Sequence, residues 1–256
     1  MGENDSIGAI ARAVRDACRL VVLTGAGVSA ESGTPTFRDA MTGLWASFNP
    51  EQLATPEAFD RDPELVTRWY DHRRLGCMAC EPNPGHRALA ELERRVVGSG
   101  RSFLLLTQNV DRLHQRAGSN AVVELHGTIM VWRCTKTGRE VMPPPTPMSE
   151  YPTRTEAGGL LRPCVVWFGE MLPESALEAA LSSLGECDVF LSVGTSALVQ
   201  PAAGFVFEAR RAGAVTCEIN PQDTAITGWI DHAARGPSGR ILPAIVEAAF
   251  GDGAAA

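Results

Sequence analysis

The sequence contains no run of about 18 or more apolar residues, so nothing in it has the length of a membrane-spanning helix. It also lacks a basic run: 23 Lys and Arg stand against 30 Asp and Glu, a net charge of −7. That balance gives no electrostatic case for nucleic acid or an anionic membrane as a partner. No secretory-signal pattern opens the chain; the stretch ENDSIGAIARAV instead predicts a helix start, with Asp5 or Ser6 as the cap. No internal repeat is evident. The seven cysteines are an odd number at irregular spacing, which speaks against a disulfide framework. Free thiols in a reducing, cytoplasmic setting are the expectation.

What is present is an ordinary core-forming composition, 45% hydrophobic and 21% charged over 256 residues. Short apolar runs alternate with amphipathic stretches, the pattern of a mainly parallel sheet covered on both faces. The predicted strands are 19–25, 102–108, 121–127, 188–194 and 214–220, and the predicted helices 6–18, 62–79, 85–97, 174–185, 201–212 and 239–249. Two segments break the rhythm: about 41–100, too long for a simple crossover, and about 128–170, rich in proline and turn residues. The expected fold is therefore α/β, a Rossmann-like parallel sheet domain with a small lobe formed by two insertions. The large domain would comprise about 1–40, 101–127 and 171–256, and the lobe the two irregular segments. A cleft at the carboxyl ends of the strands is the default ligand site of such a fold.

Three strand ends are polar. The first runs into TGAGVSAESG, where Gly25, Ala26 and Gly27 make a turn that a phosphate group could approach, although Gly33 misses the usual dinucleotide spacing. A tight strand–helix turn without a ligand reads equally well there. A later strand ends in Gly194, Thr195 and Ser196, offering N–H and hydroxyl donors, and another in Glu218-Ile219-Asn220, whose amide could reach a ribose hydroxyl. Together they favour a dinucleotide.

The segments TGAGVSAESGTPTFRD (24–39), TQNVDRLHQRAG (107–118), ELHG (124–127), RPCVVWFGE (162–170), VGTSALVQPAA (193–203) and EIN (218–220) occur in one order and spacing. In these the chain resembles the sirtuin family over nearly its whole length. The resemblance implies that NAD is consumed as co-substrate and that an acyl group passes from a protein lysine to ADP-ribose, with release of nicotinamide. It implies His126 as general base, a role its ordinary pKa suits, after the acyl oxygen has attacked the nicotinamide ribose to give an alkylimidate. Asn109 and Asp111 match nicotinamide-pocket residues, with Gln108 beside them near the ribose; a helix cap is the plainer reading of either. Phe37 and Arg38 match a loop over the nicotinamide ribose, and Ser238 a loop over adenine. His86 and His114 receive no chemical role and are assigned to structure.

The resemblance also addresses the acyl group. Tyr70 and Arg73, one turn apart on a helix, match the pair that binds the distal carboxylate of succinyl- or malonyl-lysine, and Ala54 matches a small residue that leaves room for the chain. Val166, Phe168, Gly169 and Glu170, with Trp167 among them, match a strand that pairs with substrate peptide. The family usually holds a structural zinc with four cysteines. Here Cys134 stands alone, with Thr137, Arg154 and Ala157 near the other positions, and one thiolate cannot hold tetrahedral zinc. The expectation is a zinc-free lobe held by the proline cluster and by packing of Trp132, Tyr151 and Trp167. Cys77, Cys80 and Cys164 read as small core residues. Two rival activities remain open: ADP-ribosyl transfer or NAD hydrolysis in the same pocket, and non-catalytic NAD sensing.

Overall fold

The computed structural model describes residues 3–34 and 53–251. Its strands, in chain order, are β1 (Arg19–Thr24), β2 (Ser102–Thr107), β3 (Val122–Glu124), β4 (Gly127–Cys134) and β5 (Glu140–Val141), then β6 (Leu161–Val165), β7 (Val189–Val193), β8 (Val215–Asn220) and β9 (His232–Arg235). Its α-helices are α1 (Glu3–Asp16), α2 (Ala26–Ala30), α3 (Pro56–Arg61), α4 (Pro63–Ala79) and α5 (Pro84–Gly98), then α6 (Leu113–Arg116), α7 (Glu174–Leu184), α8 (Phe205–Arg211) and α9 (Ser238–Phe250).

Six strands form one parallel sheet in the order β3-β2-β1-β7-β8-β9. Alternate residues of a strand face opposite sides, and here both sides are apolar. Leu20, Val22, Phe103 and Leu105 join one cluster with α1, α5 and α9, while Val21, Leu23 and Leu106 join another with α7 and α8. The chain order reverses at β1, whose neighbours are β2 on one side and β7 on the other. Thr24 pairs with Thr107 and with Val193, so the three strands leave the sheet at one level. That common level is where ligands of open α/β sheets bind.

The second sheet, β5-β4-β6, is antiparallel. It shares a core with α3 and α4, in which Trp69, Tyr70, Ile129 and Trp132 are wholly buried. Helix α4 begins on Asp62, whose side chain accepts from the Leu65 amide at 3.0 Å, with Pro63 in its first turn.

Several expectations shift. Helix α5, predicted within the lobe, packs Ala88, Leu89, Leu92 and Val96 into the large sheet's core, so the first lobe segment ends before it. The first helix begins at Glu3, which puts Asp5 and Ser6 inside it rather than at its cap. The strand predicted over 121–127 ends at Glu124, because Gly127 adopts φ +70° and turns the chain into β4. A Cβ there would lie 2.0 Å from the Cys164 carbonyl oxygen. The helix predicted over 201–212 is a short 3₁₀ turn, Ala202–Gly204, followed by α8; Pro201 and Gly204 are poor helix-interior residues.

Leu105 is fully buried in the middle of the sheet. Leu105→Ala is expected to cost about 2–5 kcal/mol, read as a lower urea midpoint with an unchanged slope; a shift under about 1 kcal/mol would mean that this core is not close-packed.

Candidate active site

The exits of β1 and β7 touch through their backbones. The Gly25 amide donates to the Val193 carbonyl at 3.1 Å and the Gly27 amide to the Gly194 carbonyl at 2.8 Å. A Cβ on Gly25 would stand 2.8 Å from Thr195 Cα, and one on Gly27 would stand 2.7 Å from the Gly194 oxygen. Gly194 itself has φ +60°, and a Cβ there would meet the Val28 nitrogen at 2.5 Å. Only glycine permits this approach at all three positions. Ala26 opens α2 between them.

Thr195 collects the neighbouring strand ends. Its Oγ1 accepts from Gln108 Nε2 at 3.0 Å and from the Ala197 amide at 3.2 Å, and its carbonyl accepts from Asn220 Nδ2 at 3.3 Å. Ser196 stays exposed beside it. The three polar strand ends read from the sequence thus meet in one place. Ser238 opens α9, but its hydroxyl donates to Glu31 at 3.0 Å, and the Gly239 amide reaches the same oxygen at 2.8 Å. That hydroxyl therefore caps a helix contact between distant parts of the chain. Phe37 and Arg38 lie outside the described residues.

Asn109 is buried, donating to the Gly25 carbonyl at 3.1 Å and to Ser29 Oγ at 3.0 Å. Ser29 also lies 3.3 Å from His86 Nε2. The opposite ring nitrogen, Nδ1, accepts from the Asn83 amide, so the His86 proton sits on Nε2 and is donated to Ser29. Receiving two donors, the Ser29 hydroxyl has its own proton for Asp111. Asp111 is itself buried; burial raises its pKa, and hydrogen bonds from the Leu113 amide and Ser29 pull it partly back. A directed chain, Asn83 to His86 to Ser29 to Asp111, thus underlies the pocket. His86 and His114 are both buried and hydrogen-bonded within the protein. They are also coupled to the site, since His114 Nε2 lies 3.0 Å from Thr24 Oγ1 at the end of β1.

His126 stands between β3 and β4, at the junction of the two sheets. The Leu125 amide is bonded to Thr107 at 2.9 Å, and the His126 carbonyl accepts from the Val166 amide at 2.9 Å. His126 Nδ1 lies 3.0 Å from the Gln108 carbonyl oxygen. A carbonyl only accepts, so Nδ1 carries the proton and Nε2 presents a lone pair. Burial lowers the His126 pKa, against the opposing pull of the Gln108 carbonyl. Burial thus favours the neutral ring, whose Nε2 lone pair can accept a proton.

In the lobe, Tyr70 is fully buried, with its ring 6.1 Å from Trp167. The Arg73 guanidinium lies over the Trp69 ring at 4.8 Å and the Tyr70 ring at 5.6 Å. Burial raises the Tyr70 phenol to about 12, with Arg73 pulling against it. Ala54 is buried in the same cluster as Phe59, Tyr70 and Trp167, and its carbonyl accepts from the Phe168 amide at 2.9 Å. The segment expected as a peptide-pairing strand differs: β6 stops at Val165, and Phe168 and Gly169 form a turn. The Glu170 carboxylate accepts from the Trp167 amide at 2.8 Å, so that amide is bonded within the chain, and pairs with Arg162 at 2.7 and 2.9 Å.

The donors at the expected metal position do not fit zinc. Cys134 Sγ lies 3.1 Å from Thr155 Oγ1, and hydrogen bonds from Thr155 and Thr137 lower its thiol pKa to about 6. One thiol and two hydroxyls are not a tetrahedral zinc set. Among the described residues no group of three or more His, Cys, Asp and Glu could hold a metal ion. No helix among them is long and apolar enough to cross a membrane.

The family model described as the Sir2 family matches residues 25–201. The chain belongs to the Sir2 family. This Sir2-family chain is 47% identical over 250 residues to "NAD-dependent protein deacylase 1" of Pseudomonas aeruginosa, covering 94% of this chain and 98% of that protein. It is 52% identical over 213 residues to "NAD-dependent protein deacylase" of Aquifex aeolicus, covering 83% and 87%. A solved Sir2 homologue–NAD complex superimposes with a TM-score of 0.87 at 43% identity, covering 93% of this chain and 92% of that one. Sequence reasoning about this Sir2-family site missed Ser29, Asn83 and the coupling of His86. Ser29 lies within the glycine-rich match and Asn83 has a visible capping position, but no local pattern joins them to Asp111.

His86 and His114 are buried and neutral, and burial leads the lowering of both, to about 4 for His86 and about 3 for His114. Both folded values lie below the ordinary 6.5, so on acidification the unfolded chain binds protons first. Stability is full above about pH 6.5, falls from there, and the loss is complete only below about 4 and about 3 respectively. At pH 5 the loss should be on the order of 2 kcal/mol per histidine. Urea midpoints at pH 7.5 and pH 5 measure it; equal midpoints would contradict the buried neutral pair.

Proposed function

We propose that this protein is an NAD-dependent protein-lysine deacylase that favours succinyl and malonyl groups, releasing nicotinamide and an O-acyl-ADP-ribose. The observation that carries the activity is His126, a neutral base with its tautomer fixed by the Gln108 carbonyl, beside the Asn109–Asp111 pocket and the glycine-lined crevice. The names of the similar proteins, protein deacylases, support the same reading. The crevice accommodates the pyrophosphate against the Gly25–Gly27 turn and Thr195. Asn109 and Asp111 receive the nicotinamide end and Asn220 the far ribose. His126 Nε2 takes the proton of the ribose hydroxyl that captures the acyl group.

The acyl preference rests on Tyr70 and Arg73. The phenol keeps its proton and remains a neutral donor, while the guanidinium supplies charge; together they suit a carboxylate at the far end of a buried acyl chain. Ala54 leaves space for that chain. The lobe is read as zinc-free because its donor set is wrong for zinc, its two turns being joined by the Cys134–Thr155 contact.

Turnover of matched succinyl- and acetyl-lysine peptides with NAD tests the reading. The succinyl peptide should be preferred, Arg73→Met should remove the preference by about tenfold or more, and His126→Ala should lower both rates at least a hundredfold. Acetyl preference unaffected by Arg73→Met would sink the acyl assignment, and nicotinamide release that ignores acyl-lysine would point to NAD hydrolysis instead. For the lobe, purified protein should carry substoichiometric zinc and keep its melting temperature in a chelator. Stoichiometric zinc with melting lowered by chelation would refute the zinc-free reading.

A further inference from the structure

The segment 142–153 contains five prolines, at 143, 144, 145, 147 and 152, each without an N–H to give to a sheet. It lies against α4 all the same, through one buried carboxylate. Asp71 Oδ2 accepts from the Met148 amide at 2.8 Å and from the Tyr151 hydroxyl, while the Thr146 hydroxyl reaches the Asp71 carbonyl at 3.4 Å. The second carboxylate oxygen pairs with Arg74 at 2.7 Å, and both side chains are almost wholly buried. Arg74 in turn donates to the Pro144 carbonyl at 2.7 Å and lies over the Trp132 ring of β4 at 5.7 Å. Arg68, one turn earlier, lies over the Tyr151 ring at 4.8 Å.

Helix α4 thus has two seams. Arg68, Asp71 and Arg74, spaced three apart, face the proline-rich segment. Tyr70, on another side, lies against Trp167, and Arg73, three residues on, packs over the Tyr70 and Trp69 rings of the same helix. A rotation or shift of the helix that loosens one seam displaces the other. The Cys134–Thr155 contact joins only the turns at 134–138 and 155–159 and does not reach α4.

We propose that Asp71, Arg74 and Tyr151 are positioning residues for acyl specificity: they clamp the proline-rich segment to α4 and set that helix where Tyr70 and Arg73 meet the end of the acyl chain. The proposal rests on the acidic-acyl reading above. Removing Asp71 would strand a buried guanidinium and endanger folding, so the probe is Tyr151→Phe, which deletes one hydroxyl. Thr155→Val, which weakens the other stitch, is the control for general loosening of the lobe.

Tyr151→Phe should raise KM for the succinyl peptide roughly five- to tenfold, leaving kcat, the KM for NAD and the KM for the acetyl peptide near their original values. Amide hydrogen exchange should quicken in 66–74 and 144–151 but not in β1, β2 or β7. Thr155→Val should lower the melting temperature without changing the succinyl-to-acetyl ratio. Unchanged exchange in 66–74 overturns the clamp whatever acyl group is preferred. Faster exchange with an unchanged succinyl KM, or an equal ratio change in both variants, overturns the positioning role. If Arg73→Met leaves the ratio unaltered while Tyr151→Phe speeds exchange in both segments, the acidic-acyl reading fails and the clamp survives as a purely structural one.

Discussion

The architecture depends on how closely two strand exits approach. Where β1 and β7 leave the sheet, Gly25, Gly27 and Gly194 bring backbone onto backbone with no room for a side chain at any of the three. The parallel register delivers β2 to the same level, so Gln108 and Asn109 reach across to Thr195 and to Gly25. The crevice is lined largely by peptide groups and neutral side chains. It is rigid because each group is already hydrogen-bonded inside the protein.

The small lobe is held by other means. The large sheet buries apolar runs on both faces, the ordinary hydrophobic solution. Among the described residues the lobe has three short antiparallel strands and two helices, with a core rich in tryptophan, tyrosine and phenylalanine. Polar links then fix segments that the core does not define: Asp71 with Tyr151 and Arg74, Cys134 with Thr155, and Glu170 with Arg162. Buried polar links are directional, so each holds its segment in one arrangement. His126 lies where the two kinds of construction join.

The sequence made the large domain readable because its strands are buried on both faces and so appear as unbroken apolar runs such as LVVL and FLLL. Strand β9 was not foreseen: HAAR is an edge strand with only Ala234 buried, and it carries no such run. The lobe strands were equally opaque, since GTIMVWRC and LRPCV mix arginine, proline and cysteine with their apolar residues. Helix α5 was seen as a helix but assigned to the wrong core, because amphipathic spacing shows a buried face and not what covers it. At the site, Gly25, Gly27, Thr195 and Asn220, read from polar strand ends, and Gln108 and Asn109, read from the family resemblance, do converge. The supporting chain from Asn83 through His86 and Ser29 was hidden, as His86 and Ser29 are 57 residues apart and meet only by packing.

That supporting chain has an electrostatic consequence. With His86 and His114 held neutral, neither supplies Asp111 with a positive charge; hydrogen bonds from Leu113 and Ser29 and the charge of Arg116 favour its ionised form, against burial. Burial outweighs them, so Asp111 is easier to protonate than an exposed carboxyl. A cation arriving beside Asp111 would favour the ionised form, so binding of a cation there and ionisation of the carboxyl would rise together.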